Sequence, residues 1–381
     1  MNVKTFKLSL FVSAVLALTV AVSCSKESHV FVLPVDREAP IALASSYGSG
    51  GTKGATPVSD ASLRTLHYGL LAYWMDDGLP FSGVADAYPY LRNSEVVYDS
   101  TEGGTDYWRC SPAAYWPFGG STTFFGYAPY LDTKGPVLTL PATDTETMPR
   151  GRFVQMGDVS EQVDLCLAAP VFDRKKGSGE VPMVFSHALT KVLFFFNLKG
   201  ERDMLDVRRF MVKSLKLRNV AGENSFTYGG LSGYRWDELP RSDLSSRTTE
   251  YDLSLADGTL SYVPLPYESE RESEQGLARY EVVNGANDGI LYLLPQPMTG
   301  TSDVEIVVSA YTYDGTTDTW VEDPNDEMEP VTITLPEETV WQPGKTVCYS
   351  ASLDAWLPIK FSVTLADWDV RVIENTEFIH E

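Results

Sequence analysis

Short segments in which apolar and polar residues alternate recur along almost the whole chain, and they restrict its fold more than any other feature. Residues 359–365 carry Ile, Phe, Val and Leu at every second position, and residues 304–311 alternate in the same way. This period of two is typical of β-strands, whose successive side chains point to opposite faces of a sheet. Glycine, proline, asparagine and aspartate separate the segments and predict turns. We therefore predict an all-β protein built from antiparallel sandwiches.

Further strands are predicted by short runs of β-branched and aromatic residues at 30–35, 122–127, 190–198, 213–217 and 332–335. Helical spacing is weak. It is strongest over residues 58–71, where Leu63, Leu66, Leu70 and Leu71 could share a helix face, although 67–73 fit a strand equally well. Both interpretations stay open.

Two glycine-rich joints, at residues 48–54 and 175–180, divide the chain. A length of 381 residues suffices for two domains of ordinary size. We take the second joint as the domain boundary and predict one sandwich over residues 30–177 and another over 178–381. The second carries long loops, because residues 234–289 are rich in charge and poor in apolar runs.

The N-terminus has the anatomy of a secretory signal peptide over residues 1–23, with Lys4 and Lys7 before an apolar run at 8–22. This run is short for a membrane span, which needs about 20 residues. It ends in Ala-Val-Ser before Cys24, which resembles the lipobox of bacterial lipoproteins. The pattern predicts cleavage before Cys24, lipid on Cys24 and a tether over 24–29; the alternative is an ordinary signal with an incidental cysteine. Residues 25–27 (SKE) resemble the surface-export signal of Bacteroidota lipoproteins, which implies the outward leaflet of the outer membrane.

The chain is strongly acidic and carries a formal charge of −22. Loss of Lys4 and Lys7 with the signal makes it −24. Such a charge repels nucleic acid and anionic lipid headgroups, so neither is an expected partner. Besides Cys24 the chain has Cys110, Cys166 and Cys348, which are odd in number and form no CxxC. We expect them to be small buried residues rather than a disulfide framework or zinc site, although one pair could bridge.

Motifs of catalysis are missing from the sequence: it has no HExxH, GxSxG, P-loop or helix-opening GxGxxG. No two of its four histidines have metal-ligand spacing. We therefore predict no enzyme activity, no cofactor and no metal. His187 is expected to be structural and to donate to backbone or a neighbouring hydroxyl. Residues 322–329, rich in acids, predict a solvated loop rather than a calcium site, since EF-hand spacing is missing.

Several segments together resemble the signatures of the Bacteroidota fimbrillins, in the same order along the chain. They are residues 107–117 (YWRCSPAAYWP), 123–129 (TFFGYAP), 184–192 (VFSHALTKV), 293–296 (LLPQ), 341–349 (WQPGKTVCY) and 367–368 (DW). With Cys24 they identify the chain as a member of the fimbrillin-like (Mfa-like) lipoprotein family. The resemblance implies two transthyretin-like β-sandwiches in tandem.

The resemblance also implies a function, that of a pilus subunit or surface adhesin. Family members are exported as lipoproteins, a protease cuts after a basic residue beyond the first strand, and the vacated groove accepts a strand of another fimbrillin-type subunit. In this chain the first strand would be 30–35. The cut would follow Arg37, by residue type, or Lys53, by position. The donor strand would be 359–365 or 370–373, unless these are ordinary strands of their own sheet.

A second function is open, that of a stand-alone surface lipoprotein that binds glycan or a host ligand through aromatic loops. Aromatic residues that could stack on sugar rings are Trp108, Tyr115, Trp116, Phe124, Phe125 and Tyr127. We prefer to place them between sheets, because each buries a large apolar area.

Overall fold

The structure is a computed structural model in which nearly all regular structure is β. It describes residues 32–47, 59–77, 79–100, 107–141, 147–201, 208–229, 233–240, 248–255, 260, 264–267, 281–282, 286–327, 329–354, 361–368, 371–372 and 378–379. The chain divides into a short unit, Met1–Leu33, and a large unit, Pro34–Glu381, which is the one described below. The predicted all-β fold class is confirmed. Among the described residues, no helix is long and apolar enough to cross a membrane.

The first half of the chain contains strands β1 to β12 and the helix α1. These are β1 (Val35–Pro40), β2 (Leu43–Tyr47), α1 (Asp60–Leu66), β3 (Tyr68–Met75), β4 (Tyr88–Asp99), β5 (Tyr107–Ser111), β6 (Tyr115–Pro117), β7 (Ser121–Ala128), β8 (Leu138–Thr139), β9 (Arg150–Val154), β10 (Cys166–Ala168), β11 (Val171–Arg174) and β12 (Val181–His187), with a 3-10 turn at Val159–Glu161.

The helix-like stretch at 58–71 divides into a helix and a strand. Ser59 caps α1 through a reciprocal bond with Ser62, and Leu63 is the buried residue of the helix. His67 then adopts a positive φ of 55°, and β3 begins at the next residue. Each of the two interpretations of this stretch therefore holds for one part of it.

Seven strands of the first half close into a ring. Their order is β10-β12-β2-β5-β4-β3-β7, and β10 also pairs with β7, which closes the ring; β11 pairs with β7 on the same side as β10, opposite β3. β1 pairs separately with β6. Large buried side chains fill this core, namely Tyr68, Trp108, Trp116, Phe124 and Phe185.

The second half of the chain contains strands β13 to β26. These are β13 (Thr190–Leu198), β14 (Arg209–Ala221), β15 (Glu223–Tyr228), β16 (Tyr234–Trp236), β17 (Thr248–Asp252), β18 (Glu281–Val282), β19 (Leu291–Leu293), β20 (Asp303–Asp314), β21 (Thr319–Glu327), β22 (Val331–Thr334), β23 (Lys345–Leu353), β24 (Ser362–Asp367), β25 (Arg371–Val372) and β26 (Phe378–Ile379), with a 3-10 segment at Ala286–Gly289.

Two sheets of this half share a second large core. One has the order β18-β13-β23-β24 with β19 beside β13, and the other has the order β17-β14-β20-β21 with β22 beside β20. Phe194, Phe196, Trp341 and Tyr349 are buried in this core. β13 occupies the residues predicted for it. The sequence predicts this strand well because apolar and aromatic residues lie on both of its faces.

A third sheet, of order β16-β15-β9-β8, draws strands from both sides of the predicted boundary at residue 177. Its Phe226 and Tyr228 belong to the same buried cluster as Phe125 and Tyr127 of β7. The hydroxyl of Tyr228 donates to the backbone oxygen of Gly126 at 2.8 Å. The division into 30–177 and 178–381 stays a prediction.

Candidate functional site

β2 lies inside the first sheet, between β12 and β5, and its place there is called the β2 slot. It runs parallel to β12 in five pairs, from Val181↔Leu43 to Phe185↔Tyr47. On its other side it meets β5 antiparallel at Leu43↔Trp108. The segment before it is also fixed, because the amide of Ile41 donates to the oxygen of Ala114 at 2.9 Å. Removal of β2 would therefore open a gap with unpaired backbone groups on both sides.

Alternate side chains of residues 41–47 form the face of the segment that enters the core. Ile41 and Leu43 are each 3% exposed and belong to the cluster that holds Trp108 and Phe185. Burial of each such side chain stabilises the fold by about 1.5–3 kcal/mol. Ala42 and Ser46, on the other face, are exposed. β2 is thus an integral part of the core as well as of the sheet.

The next core-facing residue, Ser45, makes a polar contact inside the slot. Its Oγ lies 2.7 Å from the hydroxyl of Tyr68, which belongs to β3. The Tyr68 side chain is fully buried, and this burial raises its pKa well above the ordinary range. A hydroxyl in such a place is costly when it has no hydrogen-bond partner.

Tyr47 ends β2 and links it to two other parts of the molecule. Its amide donates to Oδ1 of Asp60, the first residue of α1, at 2.5 Å. Its ring lies 4.7 Å from the imidazole of His187, centroid to centroid. The imidazole in turn stacks on Trp368 at 3.9 Å. Trp368, of the C-terminal Asp-Trp pair, is therefore linked to Tyr47 of β2 through the imidazole of His187.

His187 is buried beside two other groups that could ligate metal. Its Nδ1 lies 3.0 Å from the carboxylate of Asp164 and 3.4 Å from Sγ of Cys166. The sequence-based expectation of a backbone or hydroxyl partner is therefore wrong. Spacing gives no signal for the true partners, because the pairing of β10 with β12 creates the contact.

The chemistry open to this trio is limited. The three ligand atoms lie within 4.8 Å of one another, and zinc sites use all three residue types. The distances around Nδ1 are those of hydrogen bonds. Burial and the neighbouring Asp164 raise the pKa of the Cys166 thiol well above its ordinary value. A thiol held protonated in this way is a poor nucleophile.

The residues predicted for processing fall in different places. Cys24 and Lys53 lie outside the described residues. Arg37 is exposed in the middle of β1. The first strand is predicted at 30–35. Val32 to Pro34 form no strand, Val35 begins β1, and the strand that enters the ring is Leu43–Tyr47.

The two predicted donor segments are only partly described. Ser362–Asp367 form β24, which pairs with β23 at one edge of their sheet. Phe361 is buried, whereas Leu365 is 52% exposed, so the alternating face of this segment is covered at one end only. Arg371 and Val372 form β25, which pairs with β26.

Two further predictions concern residue environments. Residues 322–327 belong to β21, so the expected solvated loop is wrong for them; Glu322 pairs with Lys213. Trp108, Trp116, Phe124, Phe125 and Tyr127 are buried, so they offer no stacking surface to a glycan. Tyr115, the sixth member of that set, is partly buried.

The three cysteines behave as predicted for small buried residues. Cys110, Cys166 and Cys348 are buried and form no disulfide. Burial raises the pKa of Cys110 and of Cys348 to about 12.

Comparison with known proteins gives a family match and a likeness in fold. A family model described as fimbrillin-like matches residues 82–368. A fimbrial protein of Bacteroides vulgatus superposes with a TM-score of 0.60 at 16% identity, over 86% of this chain and 99% of the other. A candidate cell adhesion protein of Bacteroides uniformis gives a TM-score of 0.42 at 14% identity, over 87% and 99%. Among curated proteins, none matches the chain.

Proposed function

The chain belongs to the fimbrillin-like family, and we propose that it is a fimbrial subunit that is exported on lipid at Cys24 and assembled by strand exchange through the β2 slot. The family match and the likeness to a fimbrial protein support a pilus subunit or cell-surface adhesin, a structural protein rather than an enzyme. The observation that carries the finer proposal is the position of β2. A strand near the N-terminus fills an interior place in a sheet, between β12 and β5.

A cut after Lys53 suits this proposal better than a cut after Arg37. Lys53 follows β2 and precedes α1 in the sequence. Cleavage there separates both β1 and β2 from the rest of the chain. Cleavage after Arg37 severs β1 but leaves β2 covalently joined to the body. Only the cut after Lys53 therefore allows β2 to leave the slot.

An extended strand of another fimbrillin-type subunit can then take the vacated place. It would restore the backbone hydrogen bonds to β12 and β5 and refill the apolar positions of Ile41 and Leu43. The same strand at the edge of a sheet would gain backbone bonds on one side only. An interior slot therefore gives a more stable joint between subunits.

Limited digestion of the exported chain with trypsin tests the proposal, with Lys53→Ala and Arg37→Ala as matched variants. We expect the wild-type chain and Arg37→Ala to yield a body that begins at Gly54 and forms multimers resistant to SDS. Lys53→Ala should remain monomeric. N-terminal sequencing and denaturing gels measure both results.

Two outcomes would contradict the proposal. Multimers that form equally well from Lys53→Ala would show that removal of β2 is not required. A body that begins at Gly54, keeps residues 24–53 bound and never multimerises would favour a stand-alone adhesin.

A further inference from the structure

Tyr68 places a buried hydroxyl on the core-facing side of the slot, next to the apolar positions of Ile41 and Leu43. Its ring is fully buried among Leu43, Trp108 and Phe185, and its hydroxyl reaches Ser45. Among the described residues, Ser45 is the hydrogen-bond partner found for this hydroxyl. When β2 leaves, the hydroxyl loses that partner while its ring keeps the surroundings of β3 and β5.

We propose that Tyr68 selects the incoming strand and fixes its register, by requiring a hydrogen-bonding side chain at the position that Ser45 occupies. This inference rests on the proposed strand exchange. The strand it fits is an extended segment of another subunit with a hydroxyl, amide or carboxyl group two residues from a buried apolar side chain. Ser45 beside Leu43 is the template for that pattern.

Register follows from the alternation of the strand. A shift of one residue turns the wrong face toward the core. A shift of two residues keeps the face but brings an apolar side chain opposite Tyr68, whose hydroxyl then stays buried without a partner. The apolar positions alone do not distinguish the native register from the register shifted by two residues, because Ile41 and Leu43 are similar in size. Tyr68 does distinguish them.

A competition between two peptides measures this selection. The full exported chain is cut after Lys53 so that residues 24–53 remain in place, and an equimolar mixture of labelled peptides is added. One peptide has the sequence of residues 39–47, and the other carries Ser45→Ala. We expect the slot to retain about tenfold more of the serine peptide, within a range of about 5- to 150-fold, which is the effect of one unsatisfied buried hydroxyl.

The Tyr68→Phe variant supplies the matched control, because it removes the hydroxyl and keeps the ring. It should retain the two peptides about equally. A peptide with Leu43→Ala should lose retention to the same degree on the wild-type chain and on the Tyr68→Phe variant. If Tyr68→Phe does not fold, two measurements on the wild-type chain still test the role of Tyr68. One is the ratio of serine to alanine peptide retained, and the other is the retention of a Ser45→Thr peptide, which should exceed that of the alanine peptide because threonine keeps the hydroxyl.

The outcomes separate the two proposals. Equal retention of the serine and alanine peptides by the wild-type chain overturns the role of Tyr68 and leaves strand exchange intact. Failure of every peptide to enter overturns strand exchange and this inference with it.

Discussion

At the scale of single residues, the buried side chains of His187 and Tyr68 have hydrogen-bond partners that no local sequence pattern predicts. Asp164 and His187 lie 23 positions apart in the sequence and meet because β10 pairs with β12. Ser45 and Tyr68 belong to strands that are not neighbours in the sheet. The residue types could be read from the sequence, but their partners depend on the topology of the ring.

Burial of the thiols predicts how stability depends on pH. An unfolded cysteine ionises near pH 8.5, whereas the pKa of buried Cys110 is raised to about 12. Between these values the unfolded chain releases a proton that the folded chain retains. Stability from this thiol is therefore complete below about pH 8 and declines as the pH rises toward 12.

Urea unfolding of the wild-type chain and of Cys110→Ala at pH 7 and pH 10 tests this dependence. The loss of unfolding free energy between the two pH values should be smaller in Cys110→Ala by about 2 kcal/mol. The packing defect of the variant is the same at both pH values and cancels. An identical loss in both proteins would contradict the prediction.

At the scale of elements, the sequence predicts best those strands whose apolar pattern is strong. β13 matches its predicted bounds, and β7 extends the predicted residues 122–127 by one position at each end. β2 was missed because its sequence, LASSY, has small residues of low strand propensity. Its strand conformation depends on β12 and β5, which come later in the chain. The candidate site was therefore the part of the fold that local pattern could least predict.

The slot predicts that β2 contributes to the stability of the uncut chain. Leu43→Ala removes a side chain that is 3% exposed and should lower the unfolding free energy by about 2–5 kcal/mol. Ser46→Ala, on the exposed face of the same strand, should change it by less than about 0.5 kcal/mol. Chemical denaturation of the two variants measures the difference, and equal effects would mean that β2 does not depend on the core.

At the scale of the whole molecule, contacts between residues that are far apart in the sequence hold the described part of the chain together. The sheet of β8, β9, β15 and β16 combines strands from both halves of the chain. Trp368 stacks on His187 and receives a hydrogen bond at its backbone oxygen from Lys191 at 3.0 Å. Alternation can predict the strands of each half, but a sheet that joins strands of both halves depends on long-range pairing that alternation does not encode.

The proposed lipid on Cys24 and the proposed cut after Lys53 together predict a tether that is temporary. In the proposed strand exchange both residues belong to the segment that leaves with β2, so a subunit that joins a polymer through its slot would lose its lipid. Labelling of growing cells with palmitate measures this directly. Label should enter the wild-type precursor, stay absent from assembled multimers and persist in Lys53→Ala. Cys24→Ser should carry no label and leave the membrane fraction.

Label found in wild-type multimers would instead identify a subunit that keeps its first strands and anchors the fimbrium, because a chain that retains Cys24 also retains β2 in its own slot.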